Sequence, residues 1–184
     1  MKVTKLPLQI ARDLGITLKS IKTFNGHDGG IGLNADILVG GIPKIHIYDS
    51  ADGGCYEYSP IGKLSHKEAN QIVAQLNEKI DAYPAHEVSL GASKFMMKEN
   101  LDGIVCALHS EVEEQKEIKK NQKKGFIIET ENGTSVIGFG KNTLEDVLKM
   151  QGGLLTIQKN YENLKKDDYT ILNLEYLESI GVKV

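Results

Sequence analysis

Leu33-Asn34-Ala35-Asp36-Ile37-Leu38-Val39-Gly40-Gly41-Ile42-Pro43-Lys44-Ile45-His46-Ile47-Tyr48 is the stretch that decides the fold. Leu33, Ala35, Ile37 and Val39 alternate with Asn34, Asp36 and Leu38, which is the period of a strand with one buried face. Gly40-Gly41-Ile42-Pro43 makes the turn, and Ile45 and Ile47 resume the buried face on the returning strand. Lys44, His46 and Tyr48 then share the opposite face. Two Asp-Gly-Gly turns, Asp28-Gly29-Gly30 and Asp52-Gly53-Gly54, bracket this hairpin. Strands joined by one turn return the chain to its starting end, so the loops at 25–32 and 49–54 are expected to be neighbours.

Reading outward, residues 6–14 predict a short helix stopped by Gly15, and Ile16 to Phe24 predict a strand. Beyond the second glycine loop, Cys55-Tyr56-Glu57-Tyr58 continues in extended form. Ser65 and Glu68 have capping-box spacing, so a helix starts there. Ala69, Ile72, Val73, Leu76 and Ile80 form its apolar stripe, and Pro84 lies just past its end. A second long helix begins near Asn100 with Leu101, Ile104, Val105, Leu108 and Val112 facing inward. It runs on to Lys124 as a solvated rod with Glu113–Lys116 and Glu117–Lys120 pairs, and Gly125 ends it.

Asn132-Gly133 between the β-rich runs 126–131 and 134–139 is a hairpin signal. Thr143 and Asp146 open a third helix, which Gly152-Gly153 interrupts before Leu154, Ile157, Tyr161 and Leu164 continue at helical spacing. Tyr169 to Leu172 reads as extended, and Asn173 as the cap of a last short helix ending at Gly181. This order predicts an α+β fold, with antiparallel hairpins packed against amphipathic helices. Residues 1–124 form the domain with the glycine-loop hairpin. Residues 125–184 form a smaller hairpin-plus-helices module, separate or continuous with the first.

Composition bounds the function. The chain of 184 residues is 40% hydrophobic and 26% charged, the balance of a folded protein rather than a disordered one. It contains no apolar run long enough to cross a membrane, and Met1-Lys2-Val3-Thr4-Lys5 is not the start of a signal peptide. The expected location is the cytoplasm, where Cys55 and Cys106 remain unpaired thiols. A net charge of -3 and a single arginine, Arg12, count against sequence-specific nucleic-acid recognition. Lys116, Lys119, Lys120, Lys123 and Lys124 are the one basic concentration, diluted by neighbouring glutamates.

The candidate site residues are His27, Asp28, His46, Asp49 and Asp52, gathered at the two glycine loops. Glycine-rich loops expose backbone amides, and these acids and imidazoles supply orienting groups. The bland alternative is that Asp28 and Asp52 only form Asx turns ahead of their glycines. The spacing matches no established zinc pattern, so no metal and no cofactor is assigned. Cys55 activated by a histidine is a further option, set against its role as a small apolar residue in a tight turn. Neither glycine cluster reads as a nucleotide loop, because no Gly-Lys-Ser/Thr follows.

Ala35 to Val39, the Gly40-Gly41 turn, Lys44 to Tyr48, the run Asp49 to Gly54, Cys55 and Tyr58 together carry a resemblance. This region, residues 24–58, resembles small uncharacterised proteins of tailed phages and other mobile elements, built as strand, glycine turn, strand and glycine-rich loop. The resemblance implies a small accessory factor that acts by binding a host protein or by sequestering a small ligand. A non-catalytic binding protein therefore ranks first. A metal-dependent hydrolase using the His and Asp residues of the loops ranks second, and a nucleic-acid binder through Lys116–Lys124 third. A concave glycine-lined pocket favours the small ligand; a flat apolar patch favours the protein partner.

Overall fold

The computed structural model describes residues 5–26, 29–52, 54–90, 93–130 and 133–184. It is an α+β fold, and the chain divides into two compact units, Val3–Ser110 and Glu111–Val184.

The first unit is built on a four-stranded antiparallel sheet of β1 (Ile16–Asn25), β2 (Ile31–Val39), β3 (Ile42–Asp49) and β4 (Glu57–Pro60), in that order. Gly40 and Gly41 both take positive φ, 58° and 79°, the two-residue turn whose twist matches that of the flanking strands. The turn is shorter than the expected 40–43: Ile42 and Pro43 already belong to β3, and the β2–β3 register shifts between Ile37 and Leu38. Leu33, Ala35, Ile37, Ile45 and Ile47 are fully or almost fully buried, as the alternation predicts, whereas Val39 is only partly buried. Their face meets Ile10 of α1 (Lys5–Asp13), Leu76 and Ile80 of α2 (His66–Asp81), and Leu101, Ile104 and Val105 at the start of α3 (Leu101–Asn121). The α2 capping box is complete: Ser65 Oγ accepts from the Glu68 amide at 3.3 Å, and Glu68 Oε2 accepts from the Ser65 amide at 2.8 Å.

Three local features depart from a simple alternation. The β1–β2 register shifts between Lys19 and Lys22, where Ser20 holds a φ of 56°, so β1 carries a bulge. Strand β2 begins two residues earlier than the pattern suggests, because the Phe24 ring lies over Gly32 and supplies the apolar contact that glycine lacks. His86, read as a loop residue, instead begins β5 (His86–Leu90), which pairs with β6 (Ser93–Met97) in a separate two-stranded sheet. Its Nε2 lies 3.2 Å from Glu99 Oε1, and burial raises the Glu99 pKa while the His86 charge opposes that rise.

In the second unit β7 (Gly125–Thr130) and β8 (Gly133–Gly138) pair antiparallel. They are followed by α4 (Leu144–Leu148), α5 (Gly153–Lys166) and α6 (Leu174–Ser179). Phe126, Ile128, Leu144, Val147, Ile157, Tyr161 and Leu177 make its core. The extended piece at 169–172 lies beside β7 through an Ile128–Ile171 bridge. Asn173 does not cap α6 with its side chain. Its buried amide accepts from the Ile127 N–H at 3.0 Å and donates to the Gly125 and Gln122 carbonyls at 3.0 and 3.3 Å. Among the described residues no helix is long and apolar enough to cross a membrane.

Candidate functional site

The two glycine loops are neighbours. Ala51 packs into the hollow left by Gly26 and Gly30, and the Gly26 amide donates to the Gly30 carbonyl at 2.8 Å. Asp49 Oδ1 accepts from the Ala51 amide at 2.9 Å, an Asx turn that supports Ala51 at its φ of 69°. His27 and Asp28 lie outside the described residues. Asp52 is exposed on the second loop.

His46 and Asp49 stand on opposite faces of the sheet. Asp49 pairs in register with buried Leu33, whereas His46 pairs with Asp36 on the outer face. There the His46 ring meets Asp36 through Nδ1–Oδ1 at 2.8 Å, and Lys19 and Ser59 complete the same row across the four strands. Phe24 and Tyr48 stack on this face with centroids 5.7 Å apart. The row is a solvated strip of alternating polar groups, as expected on the open side of an antiparallel sheet. Odd spacing along one strand therefore keeps these two candidates apart.

On the other side, Asp49 contributes to a cleft of about 330 Å³. The segment 54–56 supplies Gly54, Cys55 and Tyr56, and α3 supplies Asp102, Gly103 and Cys106. Asp102, Gly103 and Cys106 share one helix face by their spacing of one, three and four residues. The Tyr58 hydroxyl donates to Asp102 Oδ1, which ties β4 to the first turn of α3. Cys55 and Cys106 are both exposed free thiols.

The electrostatics of this cleft are negative. Burial pushes the Tyr56 phenol up to about 12, and the neighbouring acidic groups, Asp49 and Asp102 among them, add to that rise. Tyr58 is raised too, first by burial and then by the hydrogen bond to Asp102. Both phenols stay protonated near neutral pH, so they act as hydrogen-bonding groups beside two carboxylates. Among the described residues the lining holds no histidine. Among the described residues no group of three or more His, Cys, Asp and Glu side chains is arranged to hold a metal ion.

A larger hollow of about 610 Å³ lies along α1, lined by Leu6, Leu8, Gln9 and Arg12. The described lining residues all belong to that helix. The basic end of α3 is largely engaged with its neighbours. Lys116 pairs with Glu113 at 2.7 Å, Lys120 with Glu117 at 3.7 Å and Lys123 with Glu145 at 2.9 Å. Lys124 Nζ donates to Asn121 Oδ1 at 2.7 Å.

Asp102, Gly103, Cys106 and Tyr56 were not among the residues singled out from sequence. Their only local signal is periodicity: Asp102 and Cys106 one turn apart on a helix, Tyr56 and Tyr58 two apart in an extended run. No family model matches this chain, and neither a curated protein nor a solved structure is significantly similar to it.

Proposed function

We propose that the chain is a non-catalytic binding protein that captures a small cationic ligand, an organic amine, in the cleft between the 49–56 segment and α3. The observation that carries this reading is the convergence of Asp49 and Asp102 on one open, glycine-lined cleft, where both act on the Tyr56 phenol. The described lining carries two carboxylates and no base, which favours a cation electrostatically. The volume is that of a small-molecule site, not the footprint of a folded partner. The small size of the cleft thus favours sequestration of a small ligand over recognition of a host protein. The phage or mobile-element setting and the cytoplasmic location come from the sequence reading and belong to this proposal as its context.

Isothermal titration of the full chain with putrescine, and with butanediol as its uncharged counterpart, tests the reading. Putrescine should bind and butanediol should not. Asp49→Asn should weaken the diamine about tenfold, the value of one charge-assisted contact. Equal heats for the two compounds, or an unchanged affinity in a folded Asp49→Asn, Asp102→Asn double variant, would overturn it.

A further inference from the structure

We propose that Cys55 and Cys106 form a reversible dithiol–disulfide couple across the cleft, oxidised by low-molecular-weight disulfides. The inference goes beyond ligand capture and stands on the placement of the two thiols alone.

The only two cysteines of the chain are 51 positions apart in sequence, yet both line the same cleft, and both are exposed and unpaired. Cys106 is held on the regular helix α3. Cys55 lies in the irregular segment between β3 and β4, directly after Gly54. A side chain on Gly54 would meet nothing within 4 Å, so the loop has open space on that side. Gly103, one turn before Cys106, adds no side chain to the cleft floor. A disulfide requires Cβ atoms about 3.8 Å apart. Cys55 lies outside the paired strands β3 and β4, so its side of the cleft is the one that can move toward the helix to reach that separation. A paired strand or a packed helix in its place would resist such a movement.

The exchange balances with glutathione disulfide as oxidant. One cysteine loses its proton and its thiolate attacks a sulfur of glutathione disulfide. The glutathione S–S bond breaks, a glutathione thiolate leaves and takes up a proton, and a mixed disulfide remains on the protein. The second cysteine, deprotonated in turn, attacks the protein-side sulfur and expels the other glutathione. Two protein thiols are oxidised to one disulfide, and one glutathione disulfide is reduced to two glutathione thiols. A pair that stays reduced under ordinary cellular conditions and closes under oxidation has the character of a redox-sensing site.

The test uses the full reduced chain, incubated with excess glutathione disulfide, quenched in acid and analysed by intact mass and non-reducing peptide mapping. The expected product is a monomer lighter by two hydrogens, with the Cys55 peptide joined to the Cys106 peptide and the bond reversed by reduced glutathione. Cys55→Ser and Cys106→Ser should each stop at one retained glutathione adduct. A stable double adduct, an intermolecular dimer or unmodified thiols in the folded wild type would overturn the proposal. None of these readouts involves putrescine, so failure here is separable from failure of the amine-binding reading.

Discussion

Gly30 lies directly under Ala51: a methyl group on Gly30 would sit 2.6 Å from the Ala51 carbonyl oxygen and 3.3 Å from its Cβ. The second glycine of the first Asp-Gly-Gly turn is thus required by packing against the second loop. The backbone there is not in the left-handed region, so the demand is for space and not for conformational freedom.

Gly30→Ala should accordingly destabilise the protein by about 1–3 kcal/mol, the range for overpacking a filled contact. Gly54→Ala, at a position with no atom within 4 Å, is the matched control and should be near neutral. Urea unfolding midpoints of the two variants measure the difference. Equal midpoints would show that the loops separate easily.

The Tyr56 and Tyr58 phenols give stability a signature at high pH. Tyr56 is pushed up to about 12 in the fold against an ordinary value near 10, and Tyr58 is raised as well. Above pH 10 the unfolded chain ionises these groups while the folded one does not, so unfolding releases protons. The stability present below pH 10 is therefore lost as the pH climbs towards 12. Asp102→Asn removes a negative charge beside both rings, so its late tyrosinate component should move to lower pH in an ultraviolet titration. Superimposable titrations of wild type and variant would contradict the assigned contact.

Asn173 is the buried polar joint of the second unit. Asn173→Ala would leave the Ile127 N–H and the Gly125 and Gln122 carbonyls short of a partner, at a cost of about 3 kcal/mol. Asn173→Asp keeps the acceptor for Ile127 but turns a carboxylate towards two carbonyl oxygens, so it should be destabilised as well. Thermal unfolding of both variants checks this. A loss within the ordinary surface range for Asn173→Ala would mean that water replaces the amide without penalty.

Much of the fold was readable because it rests on local rules. Alternation over 33–48 gave the strand pair and its buried face, and the Ser65–Glu68 and Thr143–Asp146 spacings gave two helix starts whose capping boxes both form. The Glu113–Lys116 and Glu117–Lys120 pairs follow from helical spacing alone. Other features escaped local reading. The 86–97 hairpin has an exposed second strand, Ser93–Met97, so it shows no buried-face alternation to detect. Asn173 has the sequence context of a helix cap, but three backbone groups of a distant strand and turn claim its amide.

The sequence by itself determined the fold class, the place of the hairpin turn and which face of the hairpin is apolar, since each depends on residues close together in the chain. It also offered Asp49 as a candidate. Only the tertiary structure decided that Asp49 and His46 part to opposite faces. It alone decided that Asp102 and Cys106 join Asp49 and Cys55 around one cleft. The physical reason is sequence distance. Tyr58 reaches Asp102 across 44 residues, and a contact of that span arises from how the sheet and α3 pack together, for which no short-range pattern in the chain is a substitute.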